Sequence, residues 1–386
     1  MRLLHTGDWH IGRRLHGRER IDEQRAVLAE LAALAAAERV DATLVAGDLL
    51  DRRLLDPAAL TACLDGLDAL ARVAPVVAVT GNHDDPELWS RLAPYLDGAG
   101  IVVAGRPLAP AQAVRSLELA GGTLHVACLP WLDAWRLQTE AGIAGAEARG
   151  RYAEQAAGVI GAYASELRAR RDADGGVAVL LAHLMVDQAR AGGGERELTL
   201  GITYAVTRSA LPADMDYLAL GHVHRPQPVP GLAAPGRYAG SPVALDFSEA
   251  GLAPSAAIVE IAGGDTTTRE VPLTSGRPLV SLRGPLDALQ ELAARHPGAL
   301  FRCEVELDEV RADLGRAVRE RVPDAIRIDP VYPEAEDADV DATAADPDAS
   351  LPDLYAEWHE ALARPLDPRQ AAAFAHALGE AATDAP

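Results

Sequence analysis

The stretch Arg2-Leu3-Leu4-His5-Thr6-Gly7-Asp8-Trp9-His10 decides how the rest of the chain is read. A short apolar run, the pattern of a buried strand, breaks off in a polar block that carries metal-binding side chains. The same order returns four times. Gly47-Asp48 follows Ala42-Thr43-Leu44-Val45-Ala46, and Gly81-Asn82-His83-Asp84 follows Val76-Val77-Ala78-Val79-Thr80. Ala182-His183 ends Val177-Ala178-Val179-Leu180-Leu181, and Gly221-His222-Val223-His224 ends Tyr217-Leu218-Ala219-Leu220. Side chains at strand ends can converge on one edge of a core although the sequence spreads them over more than 200 residues.

Asp8 and His10 stand two apart, so an extended or gently turning segment points them to one side, and His222 and His224 repeat the spacing. Asp48 supplies a carboxylate able to bridge two ions, Asn82 a neutral carbonyl oxygen, and His183 a further imidazole. Nitrogen and oxygen donors without a thiolate suit Mn²⁺, Fe²⁺ or Zn²⁺ better than a structural zinc site. Two ions about 3.5 Å apart could stabilise charge on both sides of an in-line phosphoryl displacement. Singly these blocks are ordinary: a lone histidine is usually a packed or surface residue, and a lone Gly-Asp is usually a turn. Their shared position at five strand ends is what points to a metal site.

Around the blocks, the first half alternates strand and helix. A helix is predicted over about 22–39 from Val27, Leu28, Leu31 and Leu34, and a second opens at Asp56-Pro57 and continues through Leu60, Leu64, Leu67 and Leu70. This βαβαβ order implies a partly parallel sheet covered by helices. Further strands at 101–103, 116–119, 123–127, 177–182, 216–221, 237–241 and 256–261, with an Ala-rich helix over about 149–170, predict an α/β fold. Its form is two stacked mixed sheets flanked by helices, and a smaller α+β unit is expected from about Arg269. There Val271-Pro272-Leu273, 279–282 and 301–307 read as strands, and 287–295 and 308–321 as short helices. The expected domains are 1–265, 270–332, an acidic linker at 333–350 and a helical tail at 351–386. Leu351, Leu354, Tyr355, Trp358 and Leu362 form one apolar stripe in that tail, suited to folding back on the body or to docking on a partner.

All 36 basic residues are arginine, and the net charge is −21, which argues against nucleic-acid binding by a global positive field. Part of the excess is local, since seven acidic and no basic residues lie between 334 and 348. Arginines concentrate instead at Arg13, Arg14, Arg18, Arg20, Arg25, Arg52 and Arg53, where a phosphate backbone would approach the donor blocks. Cys63, Cys128 and Cys303 are widely spaced among apolar neighbours and read as structural thiols of a reducing compartment. No 18-residue apolar stretch and no leader pattern is present, so a soluble cytoplasmic protein without a membrane span is expected.

The five blocks, in this order, resemble the calcineurin-like metallophosphoesterase superfamily, whose architecture is a four-layer α-β-β-α sandwich. The wording of His5-Thr6-Gly7-Asp8-Trp9-His10-Ile11-Gly12, Gly47-Asp48-Leu49-Leu50-Asp51, Tyr217 to His224, Tyr238-Ala239-Gly240-Ser241-Pro242 and Phe247-Ser248-Glu249 is similar to the SbcD/Mre11-type nuclease branch. The likeness covers residues 1 to 260 and, more loosely, the region to about 332. It implies one ion on Asp8, His10, Asp48 and His224, and another on Asp48, Asn82, His183 and His222, commonly manganese. It also implies His83 as the catalytic histidine assisting the leaving oxygen, with Asp84 orienting its ring. Where the archaeal and eukaryotic branch often has a histidine, this chain has Asp51. The implied activity is hydrolysis of phosphodiester bonds at double- and single-stranded DNA ends and hairpins, in repair and recombination. The implied partners are DNA and an SbcC/Rad50-type coiled-coil ATPase docking on the tail. A homodimer within a heterotetramer, nucleoid-associated when acting on DNA, is also implied. The region of Trp89, Leu92 and Tyr95 and the helix near 149–170 are candidate dimer surfaces, and the second domain a DNA-contacting cap. The glycine-rich segment 192–197 suits either a connector or a place near substrate.

Two rival functions fit the metal-binding pattern. One is a small-molecule phosphodiesterase or phosphatase acting alone, and the other is a non-catalytic assembly component.

Overall fold

The computed structural model describes residues 1–54, 56–132, 146–187, 189–190, 205–333, 350–361 and 366–383. The acidic segment 334–348, the glycine-rich segment 192–197 and Leu362 lie outside the described residues. The chain starts with β1 (Arg2–Thr6), α1 (Ile21–Glu38), β2 (Ala42–Ala46), α2 (Pro57–Ala71), β3 (Val76–Val79), α3 (Pro86–Asp97) and β4 (Ile101–Ala104). Asp56 and Asp85 accept the first free amides of α2 and α3, and the proline after each presets the first turn.

A second series follows: β5 (Val114–Leu119), β6 (Gly122–Leu129), the long helix Ala146–Asp174, β7 (Val177–His183), β8 (Met185–Val186), β9 (Ala205–Val206), β10 (Tyr217–Gly221), β11 (Gln227–Pro228) and β12 (Gly236–Tyr238). The chain then returns to the first sheet through β13 (Ser255–Ala262) and β14 (Asp265–Pro272). One six-stranded sheet runs β14-β13-β1-β2-β3-β4, and the other β11-β12-β10-β7-β6-β5. β8 and β9 pair apart from both.

Three apolar layers explain the stacking. Leu4 and Val45 face α1, α2 and α3 in one core, while Leu3, Leu44 and Ala46 face the other sheet. On β7, Val179 and Leu181 fill the space between the sheets, and Ala178, Leu180 and Ala182 pack against Tyr152, Ile160, Tyr163 and Leu167 of the long helix. Strands buried on both faces appear in sequence as unbroken apolar runs, which is why these were legible. The four layers expected from the sequence are present. Cys63 and Cys128 are buried in these cores as free thiols, and Cys303 is a third buried free thiol.

The end of the first body differs from its expected boundary. Val271 and Pro272 close β14, which pairs along its length with β13, so the first sheet runs past residue 265. β14 is an edge strand with mostly exposed side chains, and its Thr-rich sequence carries no apolar alternation to betray it. β15 (Leu279–Pro285), β16 (Leu300–Glu306) and β17 (Ala325–Val331) then form a three-stranded sheet, with helices Leu289–Ala294 and Leu314–Arg321. Residues 1–306 with 311–330 form one compact unit, and residues 307–310 with 331–386 a second.

Within the second unit, helices Leu351–Ala361 and Pro368–Thr383 meet through Tyr355, whose ring stacks on Phe374 at 4.1 Å. Tyr355 of the expected docking stripe is thus partly used inside the tail, whereas Leu351 and Trp358 are exposed. No helix among the described residues is long and apolar enough to cross a membrane.

Candidate metal centre

Parallel pairing puts β1, β2 and β3 in register, so the turns that follow them leave the same edge of the first sheet. The Asp8 turn zips onto the Asp48 turn: the Asp8 amide donates to Gly47 O (2.9 Å), His10 to Asp48 O (2.9 Å) and Ile11 to Leu49 O (3.1 Å). Between Asp8 and His10, the Trp9 side chain points back into the core and donates from Nε1 to Thr6 Oγ1 at 3.0 Å. In the second sheet, Gly221 of β10 pairs with His183 of β7, which brings the two blocks side by side. His183 Nδ1 donates across the gap to Ala46 O of β2 at 2.7 Å, tying the two strand-end edges together.

All seven expected donor residues meet here. Asp48 Oδ2 lies 3.4 Å from His10 Nε2 and 3.5 Å from His183 Nε2. Asn82 Oδ1 lies 3.1 Å from His183 Nε2 and 3.0 Å from His222 Nδ1. The Nε2 atoms of His10 and His224 stand 3.1 Å apart, and Asp8 Oδ1 accepts the His222 amide at 2.9 Å. Three overlapping sets have their ligand atoms within 4.8 Å of one another: Asp8, His10 and His224; His10, Asp48 and His83; Asp8, Asp48 and His183. Every member of these sets is buried.

Backbone geometry marks the same place. Among the described residues, six non-glycine residues have positive φ, and four of them are Asp8, His10, Asp48 and His222. Such conformations cost free energy and persist where the surroundings over-determine them, commonly at functional sites. The small residue before a donor has its own reason. A Cβ on Gly81 would come within 2.1 Å of Asp48 Oδ1, and one on Gly47 within 2.2 Å of His183 Nδ1. Only glycine lets these turns approach closely enough to share a site.

The charge balance favours cations. Burial pushes the His10 imidazole down to about 4 and lowers His183, so both rings are neutral, the form that ligates. Burial alone would raise Asp48, but the charge that His183, His10 and His83 carry when protonated outweighs it, so its carboxyl sits below the usual range and is already ionised where the His10 and His183 rings are neutral. His224 donates from Nδ1 to Glu249 Oε1 at 2.7 Å, and His10 Nδ1 faces Asp51 Oδ1 at 3.6 Å. With Nδ1–H given to Glu249, His224 turns its Nε2 lone pair toward His10 Nε2 at 3.1 Å, where a cation can take it. The donor set therefore fits divalent metal ions, with nitrogen and oxygen ligands and no thiolate.

Asp84 differs from expectation. No hydrogen bond joins its carboxylate to the His83 ring. Its Oδ2 accepts the amides of Gly81 (2.9 Å) and Leu49 (3.1 Å), and its Oδ1 that of Leu50 (2.9 Å). Asp84 braces the Asp48 turn, because three amides of tight turns converge where its carboxylate is buried. His83 is fixed instead by donating from Nδ1 to the backbone carbonyl of Asp51 at 2.7 Å. Some expected phosphate-facing arginines are also committed elsewhere. Arg20 is buried in a bidentate pair with Glu23 and donates to Ala244 O. Arg13 and Arg52 both pair with Asp51. Trp89 lies in the core, whereas Tyr95 on the same helix is exposed.

Two neighbours carry no role in the sequence reading. Trp131 sets its ring 5.0 Å from that of His222, tilted by 30°. Glu249 holds His224, and its only sequence signal was its place in Phe247-Ser248-Glu249.

Residues 1–226 match the family model of the calcineurin-like phosphoesterases. The chain belongs to that family. The SbcD component of nuclease SbcCD from Bacillus subtilis (strain 168) is 35% identical over 347 residues, covering 86% of each chain. Its namesake from Rhodobacter capsulatus is 35% identical over 309 residues, covering 74% of this chain and 72% of its own. The Escherichia coli (strain K12) one is 28% identical over 340 residues, covering 83% and 81%. With relatives of that name matching most of its length, the chain is an SbcD-like nuclease.

Proposed function

We propose that this chain hydrolyses phosphodiester bonds of DNA at double- and single-stranded ends and hairpins, with two divalent ions, Mn²⁺ by preference. The observation that carries this is the gathering of Asp8, His10, Asp48, Asn82, His183, His222 and His224 at the facing edges of two sheets. In this reading Asp8, His10, Asp48 and His224 hold one ion, and Asp48, Asn82, His183 and His222 the other. Bound there, the ions supply Lewis-acid stabilisation of charge on phosphoryl oxygens.

The chain's own groups do the rest. The Asp51 carbonyl fixes the His83 ring by taking Nδ1–H, so Nε2 is the atom that holds or gives up a proton at the leaving oxygen. Asp84 acts as a positioning residue, holding the Asp48 turn through the amides of Gly81, Leu49 and Leu50. Trp131 walls the His222 side and excludes water there.

The residues that follow β14, to about 332, serve as a cap that contacts DNA, and the tail docks on an SbcC/Rad50-type coiled-coil ATPase, as the relatives' name SbcCD suggests. The working assembly is a homodimer within a heterotetramer, in the cytoplasm and on the nucleoid when cutting. Support for a cap comes from the three-stranded sheet, whose Leu279 and Leu300 pack on Leu15, Ala244 and Phe247 near the donor turns.

The test is release of nucleotides from linear duplex DNA with Mn²⁺ and with EDTA. Metal-dependent release is expected. Hydrolysis of a small diester alone, with intact duplex, would reject the nuclease in favour of a small-molecule phosphodiesterase.

A further inference from the structure

His224 reaches its place in the metal centre through a contact made outside the five blocks. Glu249 lies 25 residues further on, at the end of the short 3₁₀ turn Phe247–Glu249, and is buried. Both of its carboxylate oxygens are used. Oε1 accepts His224 Nδ1–H at 2.7 Å, and Oε2 accepts the Leu245 amide at 2.8 Å. The turn is fixed at its start by Asp246, whose Oδ1 accepts both the amide (2.9 Å) and the hydroxyl (2.8 Å) of Ser248. Phe247 anchors the turn from the other side, packing with Ala244 and Leu15 against Leu279 and Leu300 of the three-stranded sheet.

A neutral imidazole carries one proton. With Nδ1 donating to a carboxylate, that proton stays on Nδ1, and Nε2 offers its lone pair toward His10 Nε2 at 3.1 Å. We propose that Glu249 is a positioning residue for metal binding: it sets the tautomer and angle of His224, and the Phe247 turn ties that setting to the seating of the three-stranded sheet. The inference rests on the reading of His224 as a metal ligand.

Glu249→Gln tests it with almost no change of shape. A carboxamide has one acceptor end and one donor end, whereas the site presents two donors, His224 Nδ1–H and the Leu245 amide. If the carboxamide oxygen keeps Leu245, its NH₂ faces His224 and drives the proton onto Nε2, the metal-facing atom. The measurement is Mn²⁺ binding to the metal-free full chain, by calorimetry for affinity and by electron paramagnetic resonance for the paired-ion spectrum. Wild type is expected to bind two ions. Glu249→Gln is expected to weaken one of them by about 10- to 100-fold, the usual cost of losing such a partner. Phe247→Ala is expected to weaken the same ion by less.

Two unchanged affinities in Glu249→Gln, with an unchanged thermal midpoint, would overturn the positioning role while leaving the metal centre standing. No Mn²⁺ binding by the wild-type chain would overturn both. Should Glu249→Gln fold poorly, Glu249→Asp decides: restored stability without restored affinity supports positioning, and restoration of both without any change in the spectrum rejects it.

Discussion

The turn after β2 and the turn after β3 each carry a buried aspartate, and the two do opposite things. Asp48 faces the imidazoles of His10 and His183, and its carboxyl is held below the ordinary range. Asp84 faces backbone amides; burial and then the Asp48 charge push it up to about 7, against the pull of the Gly81, Leu50 and Leu49 amides. One residue type at equivalent strand ends thus faces imidazoles in one turn and backbone amides in the other. What stands opposite decides the role, and the lesson extends to any motif read from spacing alone.

The sharpest way to break this contrast is Asp48→Asn. Loss of both ions from dialysed protein and of all detectable DNA hydrolysis is expected, by elemental analysis and nuclease assay. Two retained ions would return Asp48 to the status of a structural residue. His83→Ala is expected to keep its metal content and lose activity by roughly 10²- to 10⁴-fold, the usual worth of a positioned proton-transfer group. Full activity in that variant rejects its assignment. Asp84→Asn replaces an acceptor with a group that meets amide donors with its own NH₂, and an unsatisfied buried donor costs about 1–3 kcal/mol. A lower unfolding midpoint is expected with metal stoichiometry intact, whereas loss of one ion at full stability would make Asp84 behave like Asp48.

The smallest effect concerns His5, buried beneath the site beside the Tyr217 hydroxyl and pushed by burial down to about 3. Between that value and the ordinary histidine range near 6.5, the unfolded chain binds a proton that the folded chain refuses. Stability should therefore rise with pH across that window and be lost as pH falls through it. In EDTA, the unfolding midpoint is expected to drop from pH 7 to pH 5, with a shallower drop in His5→Asn. Equal slopes would show that other groups carry the dependence.

The contrast also explains which features the sequence disclosed. Strands buried on both faces announce themselves as apolar runs, so β1, β2, β3, β7 and β10 and the donors at their ends could be found without coordinates. β14 could not be assigned to the first sheet, because an exposed edge strand has no apolar face to display. The jobs of Asp84 and Glu249 stayed hidden for another reason. Each depends on a partner that spacing does not fix: the amides of Leu49 and Leu50 for one, an imidazole 25 residues upstream for the other. Arg20 looked like a phosphate-facing cation in sequence, and only its pairing with Glu23 shows it to be a pin.

Asp8, His10, Asp48, Asn82 and His83 belong to the first-made third of the polypeptide, while His183, His222 and His224 emerge much later. A nascent chain on the ribosome therefore owns only half of a cutting edge. The bond from His183 to Ala46 joins the two sheets, so it needs β7 to have been made as well as β2. A protein able to sever genetic material is in this way born disarmed, and it stays so until translation has passed His224.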